Sequence, residues 1–394
     1  MTMEATRDRC AIAGIGATDF SKSSGRTTLT LATEAALAAA ADAGVDPKAI
    51  DGIVRCDADA VSHNDLATSL GLCELTYWGA TGAGGAAPCG MVGQAVAAVL
   101  SGQATTVLVY RSLNGRSGRR WGRGRKARTT VGGDGALDEF FTPHGLTTPG
   151  QLWAMMAQHH FERYGTTKEH LGHIAVTCRS NANANPAAQM AGRTLTLDEH
   201  AAARSLSSPL GLFDYCLETD GACALIVTTA ERARDLAGGA VLVRATAQFA
   251  SATVGPGTFY PALLRPDLDD QPSIGLARTL FRRAELSPSD IDVAQLYDCF
   301  TITVLVQLEQ YGFCKSGEGG PFAASGAITP GGALPINTAG GHLSEGYIHG
   351  MNHIVEGVRQ MRGSSTTQIA GAETCLVTSG LPVASSALVL VRDR

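Results

Sequence analysis

The 394-residue sequence lacks any pair of cysteines spaced as C-x-x-C, although it contains ten cysteines. Structural zinc sites usually take their ligands from such closely spaced pairs, so this absence argues against a zinc finger or ribbon in this chain. The cysteines are instead scattered from Cys10 to Cys375. Such a distribution is typical of reduced thiols that fill small spaces in a core, and this is the default interpretation of each one, Cys89 included.

The sequence also lacks a long apolar run and an excess of basic charge. No segment reaches the roughly 20 apolar residues that a membrane-spanning helix needs. The N-terminal residues MTMEATRDRCAIAGIG mix charges of both signs and have no apolar core of the secretory-signal type. The formal net charge is −5, whereas nucleic-acid binding relies on clustered Lys and Arg. We therefore expect a cytoplasmic protein with no membrane span and no nucleic-acid partner.

What the sequence does contain is an alternation of strand-like and helix-like segments that runs along the chain twice. Residues 37–57, LAAAADAGVDPKAIDGIVRCD, are similar to residues 279–298, TLFRRAELSPSDIDVAQLYD. Residues 90–109 and 350–370 are similar in the same way, because both open with Gly-Met and pass through a helix-like segment into an apolar one. In the second half we predict strands at two apolar stretches, DIDVAQLYDCF and TTQIAGAE.

These repeats predict an α/β protein built from two duplicated halves, residues 1–240 and 241–394. A region of about 113–215 interrupts the first half and is predicted to be an inserted loop domain, since long insertions in compact folds are usually functional. It begins with a basic, glycine-rich segment, residues 116–128. A charged run of this kind is most often a solvated surface, and contact with CoA phosphates or with a partner protein is the alternative.

Several motifs together resemble the thiolase superfamily, and most closely its lipid-transfer-protein branch. These motifs cover nearly the whole chain and occur in the family's order: GMVGQAVAAVLSGQATTVLV, DYCLETDGACALIVTTAERA, YDCF and NTAGGHLSEGYIHG. The resemblance implies a thiolase-like fold in which the two halves form five alternating layers, αβαβα. It also implies a homodimer that acts on an acyl-CoA substrate.

The nucleophilic cysteine of that family is missing from its expected position. In the family this cysteine precedes a G-x-A segment at the end of its helix by seventeen residues, and counting back from Gly102 reaches Gly85. Cys89 lies four residues later, beyond Pro88, so the comparison favours a structural role for Cys89 and no acyl nucleophile. Cys375 falls near the family's second cysteine, but VTSG replaces the family's glycine run there, and we do not expect it to be catalytic.

Two catalytic histidine positions of the family carry tyrosine here. Tyr297 takes the histidine position of the HDCF-type motif, which reads YDCF, and Tyr347 takes that of the GHP-type motif, which reads EGYIHG. Two phenols without a nucleophile suit a retro-aldol cleavage: one removes the proton from a β-hydroxyl and the other protonates or hydrogen-bonds the enolate. Asp298, His349 and Gly85 are predicted to support them. We also expect the helix N-terminus that follows each tyrosine to lower the pKa of its phenol.

The resemblance is strongest to the steroid side-chain-cleaving aldolases of this branch. It implies a β-hydroxyacyl-CoA substrate, specifically a 17-hydroxy-20-carboxyl-CoA steroid, that is cleaved to propionyl-CoA and a 17-keto steroid. Members of this kind work with an accessory protein that has an OB-fold and a zinc ribbon. The resemblance therefore also implies a heterotetramer, zinc held in the accessory protein, and no cofactor in this chain beyond the CoA of the substrate.

Two alternatives stay open at this point. A thiolase or acyltransferase would use Cys89 in a shifted register and would form an isolable acyl-enzyme. A non-catalytic acyl-CoA- or lipid-binding subunit would bind its ligand without turnover. The sequence also leaves open which tyrosine is the base and which is the acid.

Overall fold

The computed structural model describes residues 6–82, 84–118, 142–250, 272–380 and 384–393. Its strands in chain order are β1 (Cys10–Ala17), β2 (Gly52–Cys56), β3 (Tyr77–Thr81), β4 (Val107–Asn114), β5 (Ser205–Ser207), β6 (Leu210–Gly211), β7 (Asp220–Thr229), β8 (Val241–Ala250), β9 (Val293–Gln295), β10 (Thr374–Ser379) and β11 (Ala384–Arg392). Its α-helices are α1 (Thr28–Ala43), α2 (His63–Leu70), α3 (Ala87–Leu100), α4 (Pro149–Tyr164), α5 (Lys168–Ala184), α6 (Leu197–Ala202), α7 (Ala230–Arg234), α8 (Pro272–Ala284), α9 (Thr301–Gln310), α10 (Gly319–Ala324), α11 (Gly341–Ser344) and α12 (Met351–Arg362).

The larger sheet has the strand order β3-β2-β4-β7-β1-β8-β11-β10-β9. The first five of these strands precede residue 230, and the last four follow residue 240. The two sets meet where β1 pairs with β8 over two register positions, Ala11 with Leu242 and Ile12 with Val241. One narrow seam thus joins two strand sets of different chain origin, and the predicted α/β class is confirmed.

Helices α3 and α12 lie between the two strand sets. Each contacts strands of both sets, whereas α1 packs against β1, β4 and β7, and α8 packs against β8 and β11. The first turns of α3 and almost all of α12 are buried, as expected of helices covered on more than one side. The layers therefore follow the order helix, strand, helix, strand, helix, in agreement with the predicted αβαβα arrangement.

Two predicted strands of the second half differ in the structure. β9 spans only Val293–Gln295, and the rest of DIDVAQLYDCF forms a loop that leads into α9. TTQIAGAE forms turns, and β10 begins directly after it. There the Gln360 side chain donates to the Thr367 carbonyl at 2.8 Å and accepts from the Ile369 N–H at 3.1 Å. A side-chain amide thus takes the bonds that a neighbouring strand would otherwise supply.

The predicted loop domain carries α4, α5 and α6 in the part that the structure describes. α5 packs against α10, α9 and α11, so this region lies over the second half near the motif NTAGGHLSEGYIHG. The basic segment 116–128 falls outside the described residues from residue 119 onward. Among the residues that are described, no helix combines the length and apolar character needed to cross a membrane.

Candidate active site

The loop after β9 holds Tyr297 through its backbone. The Tyr297 N–H donates to Thr378 Oγ1 at 2.9 Å, and its carbonyl accepts from Gln307 Nε2 at 2.8 Å and Thr303 Oγ1 at 3.0 Å. Thr303 and Gln307 are one turn apart on α9, so the helix that follows the loop also fixes it. These side chains satisfy buried backbone groups that have no strand partner, and they set the position of the phenol.

The second phenol reaches the same point from the turn before α12. The Tyr347 N–H donates to Thr219 Oγ1 at 2.9 Å, and Tyr347 Oη lies 2.8 Å from Tyr297 Oη. Tyr297 is 4% exposed, whereas Tyr347 is partly exposed. The structure thus brings the two predicted tyrosines into direct hydrogen-bond contact, and we refer to them below as the phenol pair.

Gly85 lies directly beside the phenol pair. A Cβ atom at position 85 would lie 2.0 Å from Tyr297 Oη and 2.7 Å from its Cζ. Both distances are far below van der Waals contact, so a residue other than glycine would displace the phenol. The family resemblance puts the nucleophile at position 85. The Tyr297 hydroxyl therefore occupies the space into which that nucleophile's side chain would project, and the contribution of Gly85 is to leave that space free.

Burial dominates the electrostatics of the phenol pair. It raises the pKa of both Tyr297 and Tyr347 well above the ordinary value of a phenol. Tyr347 raises the pKa of Tyr297 further, whereas the hydrogen bond between the two phenols and the charge of Arg111 act to lower the pKa of Tyr347. The predicted lowering by helix N-termini is wrong. The two helices begin at Thr301 and Met351, four residues beyond each tyrosine, and desolvation outweighs any effect of their dipoles.

Asp298 supports the site from beneath the tyrosine loop. It accepts hydrogen bonds from the N–H groups of His342 at 2.8 Å and Leu343 at 3.2 Å, and from His353 Nε2 at 3.0 Å. Burial alone would raise the pKa of Asp298, but His342, His353 and the backbone donor outweigh it and lower the pKa. Asp298 is therefore an ionised carboxylate that ties α11 and α12 to the loop after β9. Its support of the tyrosines, as predicted, consists of holding these elements together.

His342 and His353 are absent from the predicted set of residues. The His342 ring stands edge-on to both tyrosine rings, with centroids 4.8 Å from each, and 4.1 Å from that of His353. His342 lies inside the motif NTAGGHLSEGYIHG and His353 follows it by three residues, so the histidines of GGHLSEGYIHGMNH were the available signal. The ligand atoms of Asp298, His342 and His353 lie within 4.8 Å of one another. Because the Asp298 oxygens already accept several hydrogen bonds, we describe this group as a hydrogen-bonded support.

His349 lies beside the phenol pair, next to Tyr347 and Arg111. Its ring centroid lies 5.1 Å from that of Tyr347, and its Nδ1 lies 3.0 Å from Nη2 and 3.3 Å from Nε of Arg111. Arg111 in turn forms a buried ion pair with Asp59. Burial and the adjacent guanidinium together hold the pKa of His349 well below its usual range. The imidazole beside the phenol pair is therefore neutral at physiological pH.

Both cysteines considered as nucleophiles are buried in regular structure. Cys89 lies in α3, where its Sγ accepts a hydrogen bond from Ser379 Oγ at 3.1 Å, and burial raises the pKa of its thiol to about 12. Cys375 lies in β10, and burial raises the pKa of its thiol well above the usual value. Thiols in such surroundings keep their protons at neutral pH, which favours the structural interpretation of both.

Known proteins are similar to this chain over nearly its whole length. Residues 265–394 match a family model described as thiolase C-terminal domain-like. A 17-hydroxy-3-oxo-4-pregnene-20-carboxyl-CoA lyase from Mycobacterium tuberculosis is 45% identical to this chain, over 97% of this chain and 99% of its own. The chain belongs to the thiolase superfamily. A steroid side-chain-cleaving aldolase from Thermomonospora curvata is also 45% identical, over 98% of each chain.

A solved structure extends this thiolase-superfamily assignment to the whole fold. The Ltp2-ChsH2(DUF35) aldolase superposes with a TM-score of 0.92 and 43% identity, over 99% of both chains. The predicted thiolase-like fold is therefore confirmed, and so is the predicted enzyme class, a carbon–carbon lyase of the aldolase type. The catalytic roles of individual residues stay predictions, which the geometry above now makes specific.

Proposed function

We propose that this chain cleaves the side chain of a 17-hydroxy steroid 20-carboxyl-CoA and releases propionyl-CoA and a 17-keto steroid. The observation that carries the proposal is the 2.8 Å contact between Tyr297 Oη and Tyr347 Oη, in the space that a nucleophile at Gly85 would occupy. Relatives at 45% identity that cover the whole chain are named for this lyase and aldolase chemistry. A site with proton-transfer groups and no nucleophile suits cleavage through an enolate.

The reaction balances with one proton removed and one proton added. As the β-hydroxyl loses its proton, the Cα–Cβ bond breaks and the hydroxyl-bearing carbon becomes the ketone. The electron pair of that bond passes to Cα and is delocalised onto the thioester oxygen as an enolate. A proton delivered to Cα then gives the shortened acyl-CoA. Both proton transfers are therefore available to a pair of hydrogen-bonded phenols that ends each cycle unchanged.

The raised pKa values of both phenols favour a relay over a free phenolate. Tyr347 accepts the proton of the β-hydroxyl as it passes its own to Tyr297, which delivers its own proton to Cα in the same concerted transfer, so that neither phenol oxygen carries two protons. Tyr347 is assigned the first transfer because the Arg111 charge acts to lower its pKa, which eases the loss of its own proton to Tyr297, and because it is the more exposed of the two. Tyr297 is the better donor, because its phenol lies against Gly85, where the family's acyl chemistry is centred.

We further propose that the chain works as a homodimer bound to an accessory subunit. The support is the 99% coverage by a structure named as the Ltp2-ChsH2(DUF35) aldolase, together with the family resemblance, which implies a zinc ribbon and an OB-fold in such a partner. Coproduction with that class of partner should give a heterotetramer by light scattering. Zinc should be recovered with the accessory subunit and not with this chain.

The decisive experiment measures propionyl-CoA release from the 17-hydroxy-20-carboxyl-CoA steroid by the coproduced complex. Tyr297→Phe and Tyr347→Phe should each lower kcat by about 10²- to 10⁴-fold. The double variant should be little worse than either single variant, since a relay fails at its first break. Additive losses would contradict the relay. An acyl-enzyme on Cys89 would instead identify an acyltransferase, and tight ligand binding without turnover would identify a binding subunit.

A further inference from the structure

A buried ion pair reaches the site from the opposite half of the chain. Arg111, within β4, is 1% exposed, and its Nη1 contacts Asp59 Oδ1 at 2.5 Å. Asp59 also accepts from the Ser112 N–H at 3.2 Å and the Cys56 N–H at 3.3 Å. A buried pair of this kind is costly to desolvate, and the proposed relay uses only the charge of Arg111, through its effect on the pKa of Tyr347.

The remaining donors of Arg111 converge on one atom of the site. Both Nη2 and Nε point to His349 Nδ1, at 3.0 and 3.3 Å. A guanidinium has only donors and does not lose its proton in proteins. His349 Nδ1 must therefore be the acceptor, so the ring proton of the neutral imidazole resides on Nε2. The ion pair thus selects one tautomer of one histidine.

The backbone at His349 is also held in an unusual conformation. His349 has φ of 53°, in the left-handed region that a side chain with a Cβ seldom adopts and that costs free energy. Its Cε1, which is bonded to both ring nitrogens, would lie 3.8 Å from a Cβ atom at Gly84. The strained turn therefore places the ring edge against the residue that precedes Gly85.

We propose that the Asp59–Arg111 pair holds His349 as a neutral, Nε2-protonated donor, and that this N–H hydrogen-bonds the thioester oxygen as the enolate forms. Asp59 and Arg111 are positioning residues in this account, and His349 is the group that contacts substrate. The inference rests on the proposed function for the identity of that oxygen. A neutral donor suits the site because it stabilises developing charge without adding a second acid that competes with the phenol pair for the proton.

The groups that face His349 all favour its neutral form or leave it unchanged. They are Arg111 on β4, Tyr347 in its own turn, and His342 on α11, whose pKa burial and neighbouring imidazoles lower well below the usual value. Asp59 is the nearby carboxylate that neutralises Arg111. Removing the guanidinium should therefore free Nδ1, so that the ring proton can occupy either nitrogen while burial keeps the imidazole neutral.

The test uses the complete complex and reads the tautomer directly. With ¹⁵N-labelled histidine, the His349 signal, identified by its loss in His349→Asn, should show an unprotonated Nδ1 and no titration between about pH 5.5 and 8.5. Arg111→Met should add a population with a protonated Nδ1 to this signal and should lower kcat. Arg55→Met is the matched control, because Arg55 binds carbonyls of the same turn, those of Cys56, Asp57 and Asp59, and should change neither readout.

Activity separates the donor from a merely structural ring. His349→Ala should lower kcat about 100-fold with little change in KM. His349→Asn, which keeps an N–H donor and tolerates a left-handed backbone, should recover about tenfold of that loss. A wild-type signal protonated on Nδ1, or an Arg111→Met variant with lower stability but an unchanged ¹⁵N signal of His349, would overturn the inference. If wild type shows no lyase turnover, the proposed function fails, and the NMR signal still decides whether the ion pair sets the tautomer.

Discussion

The turn before α3 and the turn before α12 occupy corresponding places in the two halves, and they differ in what they carry. The first contains Gly84 and Gly85 and presents no side chain beyond Cβ to the site until α3 begins. The second contains Tyr347 and His349, each in contact with another polar group of the site. The first turn thus leaves room for neighbouring side chains, and the second turn contributes the polar side chains of the site.

In this thiolase-like fold, glycine at position 85 leaves room for the phenol of Tyr297. α3 and α12 both lie between the strand sets, so the turns before them face a shared volume. When position 85 carries no side chain, a phenol from the loop after β9 fills the space. The polar side chains of the site therefore come mainly from the second half of the chain, and the first half contributes a glycine turn that leaves room for them.

The largest effect is expected when the first turn is given a side chain. In Gly85→Ala the new Cβ would lie 2.0 Å from Tyr297 Oη, so the phenol must move away from Tyr347. A displacement of about 1 Å at a reacting group can cost about 100-fold in rate, and we expect kcat to fall by at least that factor. Propionyl-CoA release by the complete complex is the measurement.

Gly331→Ala is the matched control, because a Cβ atom at Gly331 has no neighbour within 4 Å. It should leave kcat unchanged. Full activity in Gly85→Ala would mean that the phenol does not depend on the empty position, and the contrast between the two turns would then lose its functional meaning.

The next effect concerns the support beneath the second turn. Asp298→Asn keeps the size of the side chain but sets an amide N–H₂ among groups that donate to Asp298, namely two backbone N–H groups and His353 Nε2. A buried group left without its partners costs about 3 kcal/mol, so the free energy of unfolding should fall by about that amount in urea titrations.

An exposed carboxylate that caps a turn provides the comparison for Asp298. Asp290 accepts from the Ser287 N–H at 2.7 Å at the surface, and Asp290→Asn should lower the free energy of unfolding much less than Asp298→Asn does. Equal losses at the two positions would show that Asp298 does not hold the second turn.

The sequence predicts the parts of this site that occupy fixed motif positions. Gly85, Tyr297 and Tyr347 follow from counting within the family's motifs, because their places along the chain determine their places in the fold. Arg111 does not, because it ends an apolar strand segment and reaches His349 across 238 residues of sequence. Pairing of that kind depends on how the two halves pack, and no local pattern records it.

The direction of the tyrosine pKa shift also could not be predicted from the sequence. A helix beginning after each tyrosine is visible in the sequence, and it suggested a lowered pKa. Burial is a property of the packed layers, and it raises the pKa of both phenols. The elements were therefore predictable, but the balance between their dipoles and the cost of desolvation was not.

A buried acid in the second turn should make the free energy of unfolding depend on pH. Burial, aided by Glu356 and opposed by Asn352, raises the pKa of Glu345 to about 8 from 4.5. Between these values the folded state keeps a proton that the unfolded state releases, so the free energy of unfolding falls as pH rises from about 5 to 8. Glu345→Gln removes that proton exchange, and its stability should fall less with pH than that of wild type.

The difference between the two stability curves should reach about 4 kcal/mol by pH 8, since the pKa rises from 4.5 to about 8 and each pH unit corresponds to about 1.4 kcal/mol. Urea titrations at pH 5, 6.5 and 8 measure it. Parallel curves for wild type and Glu345→Gln would show that this carboxyl is already ionised in the folded state at neutral pH.

The smallest effect on activity is expected at Cys89, and it tests the first turn from its other end. The Cys89 thiol is buried, and its raised pKa of about 12 leaves almost no thiolate at neutral pH. Cys89→Ala should therefore keep kcat within about twofold and cost on the order of 1 kcal/mol of stability for the lost atom and its contact with Ser379.

Alkylation gives the same test without a substitution. Iodoacetamide should label exposed Cys73 in the native protein before it labels buried Cys89, and the labelled protein should retain its turnover. A Cys89→Ala variant that lost activity while remaining folded would place a nucleophile in α3, one turn beyond the position that the family uses. In that case the first turn would supply chemistry after all, and the phenol pair would have to be assigned to proton transfer around an acyl-enzyme.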